Sequence, residues 1–111
     1  MTLSSHVLDG ARGLPAEGVA ITWETLEADE WRVAGNGLTG ADGRVTDWGG
    51  EATLGKGRHR LVFRSGDYFA RQGTRTFYPE VVVVFEVTDA DAHHHVPLLL
   101  SPFAYSTYRG S

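Results

Sequence analysis

The chain contains no cysteine. This absence excludes disulfide bonds, thiolate nucleophiles and cysteine metal sites, and it leaves the redox compartment open. Basic residues are also scarce, with 10 Lys and Arg against 14 Asp and Glu and a formal net charge of -4 at pH 7. A chain without a basic excess lacks the charge pattern of nucleic-acid-binding proteins. We therefore expect no nucleic-acid partner.

Long hydrophobic runs are missing as well. No segment approaches the ~20 apolar residues that cross a bilayer, and residues 1–5 do not place a basic stretch before an apolar one. These features predict a cytoplasmic protein with no membrane partner, although a mature form whose leader has been removed would look the same. With 111 residues, the chain is expected to form a single domain over 1–111, and its modest core favours self-association.

Alternation of apolar and polar residues dominates what is present. Val19–Glu24 shows the period of two that is typical of a half-buried strand, and glycine-rich turn signals separate several such stretches. The pattern predicts eight strands, near residues 3–9, 19–26, 31–38, 43–46, 58–64, 81–88, 92–100 and 102–109. A short helix over 66–73 is predicted between the fifth and sixth strands. The fold class is therefore all-β, with the strand spacing of a β-sandwich.

One predicted strand is apolar on both faces. The run Val81–Val87 carries apolar side chains on both faces for four residues, which a strand with one solvated face does not need. Contact with another subunit would protect such a strand from aggregation, and a cover from its own chain is the alternative. We favour the subunit contact because a small sandwich has little spare chain to cover two faces.

His6 and Arg44 are the first two candidates for chemistry. His6 lies in the middle of the first predicted strand, on the face that it shares with Ser4 and Leu8. Arg44 follows the turn Ala41–Gly43, and its forked donors suit an anionic or carbonyl-rich ligand. Each residue in isolation is more often an ordinary surface residue than a functional one.

The triple histidine His93–His95 supports two different hypotheses. His93 and His95 would share one face of a strand, so together with His6 they could supply three nitrogen ligands to zinc. Alternatively, His95 acts without a metal as an acid or base. A permanent cation such as Arg44 nearby would favour the neutral imidazole, which can take a proton from water.

The C-terminal segment also looks functional. Most chain ends fray, yet this one keeps Tyr108, Arg109 and the carboxylate of Ser111 up to its last residue. Such a terminus is more consistent with part of a site than with a loose tail.

Four stretches together resemble the 5-hydroxyisourate hydrolases, the transthyretin-like enzymes of purine catabolism. They are His6–Asp9, Asp42–Arg44, Phe77–Glu80 and the segment from His95 to Ser111. The closing tetrapeptide Tyr108–Ser111 is the most specific of them, because in this family it separates the hydrolases from the hormone carriers of the same fold. The resemblance covers nearly the whole chain.

This resemblance implies a transthyretin-like eight-stranded β-sandwich with one short helix, assembled as a homotetramer that is a dimer of dimers. It implies hydrolysis of the cyclic amide of 5-hydroxyisourate to 2-oxo-4-hydroxy-4-carboxy-5-ureidoimidazoline, without cofactor or metal. The implied catalytic residues are His6, Arg44, His95 and Ser111, and the implied substrate-binding residues are His6, Arg44, Tyr108, Arg109 and Gly110. His95, or His6 with it, would activate water while Arg44 holds the ring carbonyls.

Two positions depart from the pattern of these hydrolases. His94 stands where they usually have tyrosine, and Ala104 where they usually have glycine. Neither belongs to the implied catalytic set. The alternative function is a transthyretin-like carrier that holds a planar ligand without converting it, which the fold alone would permit.

Overall fold

The computed structural model describes residues Leu3–Ser111 as two β-sheets with one short helix. The described chain contains nine strands and the helix α1. Their bounds are β1 Leu3–Asp9, β2 Leu14–Pro15, β3 Ala20–Glu27, β4 Glu30–Leu38, β5 Arg44–Val45, β6 Gly57–Phe63, α1 Ser65–Ala70, β7 Val81–Val87, β8 His94–Ser101 and β9 Ala104–Thr107.

The strands form two sheets, and sheet I pairs strands that are far apart in the sequence. Sheet I has the order β2-β1-β8-β9, and β5 also pairs with β1. Sheet II has the order β4-β3-β6-β7. All pairs are antiparallel except β1 with β8, which run parallel with Leu3 opposite His94 and Asp9 opposite Leu100. Strands β1 and β8, which lie far apart in the sequence, are therefore neighbours in the centre of sheet I.

The core lies between the sheets and is centred on two tryptophans. Trp23 and Trp48 are buried and meet edge to face, with ring centroids 6.3 Å apart. A Cβ on Gly35 would overlap the backbone oxygen and Cβ of Trp48, and one on Gly37 would overlap Val45 and crowd the Trp48 ring, so these glycines let Trp48 lie against β4. Trp48 Nε1 also donates to the carbonyl oxygen of Leu3, 2.9 Å away. The core thereby fixes the start of β1.

The helix α1 packs on this core and is hydrogen-bonded to the end of β1. Tyr68 is buried, and its hydroxyl donates to Asp9 Oδ2 at 2.7 Å. The other carboxylate oxygen of Asp9 accepts from the backbone N–H groups of Ala11 and Arg12, both at 3.0 Å. Both oxygens of this buried carboxylate are thus satisfied. Burial and the contact with Asp9 raise the pKa of Tyr68.

The all-β sandwich expected from the sequence is confirmed, as is a short helix between the strands over 57–63 and 81–87. The strand Leu14–Pro15 was not predicted, because its two residues lie within a stretch that reads as a turn. Ends also differ by one to three residues: the helix ends at Ala70 and the last strand spans only Ala104–Thr107. Helix and strand ends depend on contacts that the local pattern does not contain.

Strand β7 forms an open edge of sheet II. Its residues alternate, so that Val82 and Val84 are exposed by 40% and 55% while Val81 and Val87 are buried. Within the described chain, the outer face of this strand has apolar side chains in contact with solvent. The subunit contact expected here stays a prediction. No helix described within Leu3–Ser111 is both long and apolar enough to cross a membrane.

A buried histidine connects β3, β6 and β7. The Trp23 indole N–H donates to His59 Nδ1 at 3.1 Å, and His59 Nε2 donates to the carbonyl oxygen of Gly55 at 2.7 Å. The His59 ring also stacks on Phe85, with centroids 5.6 Å apart. Both hydrogen bonds are satisfied only by the neutral ring, because protonated Nδ1 would face the indole N–H donor. Burial lowers the pKa of His59.

We expect the free energy of unfolding to fall as the pH drops through and below 6.5, the ordinary pKa of histidine. The unfolded chain, which has the higher histidine pKa, takes up the proton first, so stability is complete above that pH and lost below it. Urea unfolding between pH 8 and pH 5 measures the effect. His59→Gln should show a weaker pH dependence, and the exposed change Lys56→Gln should keep the wild-type one. Equal dependence in wild type and His59→Gln would contradict this account.

Candidate functional site

The open face of sheet I collects three of the predicted site residues, His6, Arg44 and His95. In the parallel pair β1–β8, Ser4 lies opposite His95 and His6 lies opposite Pro97. On the other side of β1, the antiparallel pairing with β5 places Arg44 opposite His6. Because side chains alternate along a strand, Ser4, His6 and His95 project from the same face, away from the core. The fold thus brings His6, Arg44 and His95 together.

The turn before β5 orients both His6 and Arg44. His6 Nε2 donates to the carbonyl oxygen of Asp42 at 2.9 Å, which leaves Nδ1 as the unprotonated nitrogen of the neutral ring. Asp42 Oδ1 accepts from the backbone N–H of Arg44 at 3.0 Å. Between them, Gly43 adopts φ +77°, and a Cβ there would collide with the carbonyl oxygen of Val7. The Asp42–Gly43–Arg44 motif is therefore a turn that only glycine at its centre can form without strain.

His95 is half-buried, and its ring contacts Ser4 and His93. Its Nδ1 lies 2.7 Å from Ser4 Oγ, and the same hydroxyl lies 2.9 Å from His93 Nε2. The His93 and His95 rings stack, with centroids 6.4 Å apart and planes inclined by 17°. This confirms that the two histidines share one face, as the alternation predicts. His94 projects to the other side, where it is buried and its Nδ1 donates to the carbonyl oxygen of Ala92.

Burial lowers the pKa of His95, and the positive charge of Arg44 lowers it further. Smaller contributions in the same direction come from His6 and His93, while a backbone hydrogen bond at Ser4 opposes them. An imidazole in this setting is neutral at neutral pH and can accept a proton. The neutral state expected from a nearby arginine is thus consistent with the structure, with desolvation as the larger cause.

The C-terminal tail, Tyr108–Ser111, pairs with the backbone of His95. Gly110 forms a bridge with His95, and its backbone N–H donates to the His95 carbonyl oxygen at 2.9 Å. A Cβ on Gly110 would overlap Cδ2 of the His95 ring, so the tail backbone lies directly against the imidazole. Tyr108 is exposed by 58%, and Arg109 and Ser111 are also exposed. The expectation that this terminus belongs to a structured site is supported by this bridge.

A groove of about 360 Å³ runs between β7 and the β8–β9 pair. His95, Tyr108 and Arg109 line it from one side, and Val83–Glu86 line it from the other. His6 and Arg44 are not among its lining residues. The predicted residues therefore surround His95 in two groups: His6 and Arg44 on the face of the sheet, and the tail at its edge.

The zinc hypothesis finds no support in the geometry. Within Leu3–Ser111, no group of three histidine or carboxylate side chains is placed to hold a metal ion. His93 and His95 instead direct one nitrogen each at the hydroxyl of Ser4.

Ser4 is the residue at this site that the sequence analysis did not assign. Its side chain is buried beneath the His93 and His95 rings, and 91 positions of sequence separate it from His95. A serine two positions before His6 carries no signal in the local pattern. Only the pairing of β1 with β8 reveals its contact with the histidines.

Comparison with known proteins gives consistent results across sequence and structure. The chain is 41% identical over 109 residues to the 5-hydroxyisourate hydrolase of Salmonella typhimurium, covering 98% of this chain and 80% of that protein. The structure of Klebsiella pneumoniae 5-hydroxyisourate hydrolase superposes with a TM-score of 0.86 at 37% identity, covering 100% of both chains. Sea bream transthyretin in complex with thyroxine gives a TM-score of 0.91 at 31% identity, covering 99% of this chain and 95% of that one.

A family model described as the HIUase/Transthyretin family, where HIUase denotes 5-hydroxyisourate hydrolase, matches residues 3–110. The match includes both strands that hold the histidines as well as the tail up to Gly110. Together with the high identity over nearly the full chain, it establishes that this chain belongs to the HIUase/Transthyretin family.

Proposed function

We propose that this chain is a 5-hydroxyisourate hydrolase of urate breakdown. It hydrolyses the cyclic amide of 5-hydroxyisourate to 2-oxo-4-hydroxy-4-carboxy-5-ureidoimidazoline. The observation that carries this proposal is the arrangement around His95, where a neutral imidazole, the cation of Arg44 and a bridged Tyr-Arg-Gly-Ser tail lie together. Relatives that are named as this enzyme share the fold over nearly the whole chain.

The reaction needs a base and a group that stabilises negative charge. Water must lose a proton as its oxygen attacks the amide carbon, and the carbonyl oxygen then becomes an oxyanion. A positioned imidazole can take the proton, and cationic or N–H donors can stabilise the oxyanion. The base then returns its proton to the ring nitrogen as the carbon–nitrogen bond breaks.

We assign His95 as the base and Arg44 as the donor to the ring carbonyls. His95 has one ring nitrogen, Nε2, that Ser4 does not contact, and burial and Arg44 keep the ring neutral. Arg44 is exposed on the open face beside His6, where its forked N–H groups reach a ligand. His6, whose Nε2 is occupied by the Asp42 carbonyl, presents Nδ1 to the same ligand.

The tail supplies the remaining part of the pocket. Tyr108 and Arg109 bind the substrate from the edge of sheet I, and Gly110 holds the tail backbone against His95. Ser111 follows Gly110 directly and is exposed, which leaves its hydroxyl accessible to the substrate. We assign Ser111 to the catalytic set on its place beside this bridge.

A homotetramer, built as a dimer of dimers, completes this proposal. Two edge strands, β7 and β9, are open on the side of the molecule where the groove lies. Exposed apolar residues accompany them, with Val84 exposed by 55% and Leu99 by 40%. Pairing of these edges between copies would cover both strands, and packing of two such dimers against each other would enclose the open face of sheet I. A cytoplasmic location and a single domain over 1–111 stay predictions.

A carrier without catalysis is the alternative that the fold permits. Sea bream transthyretin, which binds thyroxine in its solved complex, has the same fold. The open face of this chain, however, carries His6, Arg44 and His95, which are polar and ionisable. An apolar ligand would leave these groups desolvated and unpaired, so the arrangement favours the enzyme.

His95→Asn should lower kcat for 5-hydroxyisourate by about 10²–10⁴-fold, because asparagine cannot take the proton from water. The decay of freshly generated substrate, followed by its ultraviolet absorbance, measures the rate against the uncatalysed reaction in buffer. His94→Tyr is the matched control, since it changes the neighbouring core-facing histidine to the residue that the related hydrolases usually have. Near-normal turnover of His95→Asn would refute the base role, and decay at the buffer rate with wild type would refute the hydrolase.

The pH dependence of catalysis should show the low pKa of His95. A base with a lowered pKa stays unprotonated at lower pH, so kcat/KM should fall only below pH 6.5, the ordinary value for histidine. Arg44→Gln removes a positive charge and should move the midpoint of this fall to higher pH. Arg32→Gln, on the far edge of sheet II, should leave the midpoint in place. A midpoint that is unchanged in Arg44→Gln would contradict the influence of Arg44 on His95.

Gly110→Ala should lower kcat by at least about 10-fold, because a Cβ would push the tail or the His95 ring out of position and small displacements at a reacting group are costly. Gly55→Ala is the control, since no atom lies within 4 Å of a Cβ at that position. Thermal unfolding of both variants reports whether the fold is kept. Full activity of a folded Gly110→Ala would show that close packing of the tail on His95 is not required.

A further inference from the structure

The hydroxyl of Ser4 bridges two histidines. Ser4 Oγ lies 2.9 Å from His93 Nε2 and 2.7 Å from His95 Nδ1, and both distances are those of a hydrogen bond. Ser4 is 7% exposed, so this hydroxyl sits beneath the stacked rings with little access to water. His93, in contrast, is exposed.

The protonation of the two facing ring nitrogens is coupled through the Ser4 hydroxyl. The hydroxyl has one hydrogen, and its partners among the described residues are these two nitrogens. All three groups are therefore satisfied when the hydroxyl donates to one nitrogen and accepts from the other. In that arrangement one of the facing nitrogens carries a proton and the other does not. If His93 Nε2 is bare, His95 carries its proton on Nδ1 and its Nε2 has a free lone pair. If His93 Nε2 is protonated, the order reverses and His95 Nε2 carries the proton.

We propose that Ser4 and His93 are positioning residues that set the tautomer of His95 and so decide whether its Nε2 can act as a base. This inference rests on the proposed function, in which His95 takes a proton from water. Productive His95 donates from Nδ1 to Ser4 Oγ, and Ser4 donates to His93 Nε2. The chain of hydrogen bonds then leaves His95 Nε2 unprotonated. The Cδ2 atom bonded to this nitrogen lies against Gly110 of the tail.

Several other titratable groups lie around His95. The charges of Arg44 on β5 and His6 on β1 lower its pKa. Tyr108 and Arg109 of the tail and Glu86 on β7 line the same groove. Arg44 and His6 act on the charge of His95 through space. Ser4 contacts His95 Nδ1 directly and His93 acts on that nitrogen through Ser4, so their variants should change the tautomer of His95.

The chain offers a matched pair of serines for the test. Ser4→Ala removes the bridging hydroxyl, and Ser4→Thr keeps one. Ser5→Ala removes the neighbouring hydroxyl on the opposite face, which donates to the carbonyl oxygen of Val96 at 2.7 Å and touches no histidine. His93→Gln replaces the exposed ring with an amide that can accept from Ser4 but does not titrate. Each variant is assayed for kcat and KM across pH with 5-hydroxyisourate.

Ser4→Ala should lower kcat by about 10-fold with little change in KM, which is the effect of losing one neutral hydrogen bond in the transition state. Ser4→Thr should recover most of this loss, and Ser5→Ala should stay near the wild-type kcat. His93→Gln, whose amide oxygen can still accept from Ser4, should lower kcat less than Ser4→Ala. Equal kcat for Ser4→Ala and Ser5→Ala would overturn the proposal while wild-type turnover upholds the hydrolase.

A measurement without substrate separates this inference from the proposed function. Nitrogen-15 NMR of the labelled imidazoles distinguishes the Nδ1–H from the Nε2–H tautomer in the folded wild-type protein. His95 should be Nδ1–H in the wild type at pH 8. Ser4→Ala should lose this preference, while Ser5→Ala should keep it. A His95 ring that is Nε2–H in the wild type, or that has the same tautomer in the wild type and in Ser4→Ala, would refute the inference, whether or not the protein is a hydrolase.

Discussion

The parallel pairing of β1 with β8 is the constraint on which the rest of the site depends. Leu3–Asp9 and His94–Ser101 come from opposite ends of the sequence, yet they form the centre of sheet I. This register puts Ser4 beside His95, and a slip of one residue would turn every side chain of β1 to the other face. The buried residues Leu3, Ser5 and Val7 prevent that slip, because the same slip would expose them. The packing of the core therefore fixes the geometry of the open face.

Polar groups in this protein are arranged so that few protonation states satisfy them. Asp9 accepts from the Tyr68 hydroxyl and two backbone N–H groups, which suits a carboxylate. His59 lies between a donor, Trp23 Nε1, and an acceptor, the Gly55 carbonyl, which suits one neutral tautomer. His6 is oriented in the same way by the Asp42 carbonyl. His95 differs from these, since a hydroxyl can either donate or accept, and its tautomer is consequently open to control by a neighbour.

The site also shows how one sheet can present two kinds of surface. The inner face of β8 carries Val96 and Leu98, which are buried in the core, while its outer face carries His95 and Leu99. Edge strands β7 and β9 leave backbone groups unpaired on the side where the tail returns to His95. A second copy that paired with these edges would stabilise the fold and shape the pocket with the same contacts. In the proposed tetramer, assembly and catalysis would therefore depend on the same contacts.

The sequence by itself determined the class of fold and most of the residues of the site. Alternation and glycine-rich turns are local signals, so the main strands, the short helix and the shared face of His93 and His95 could be predicted from them. The motifs around His6, Arg44, His95 and the tail were sufficient to predict the family. Tertiary structure decided the rest, because the contact of Ser4 with the histidines and the return of Gly110 to His95 depend on pairings between distant segments. Such pairings leave no mark on the local pattern, since they arise only when the core sets the register of the strands.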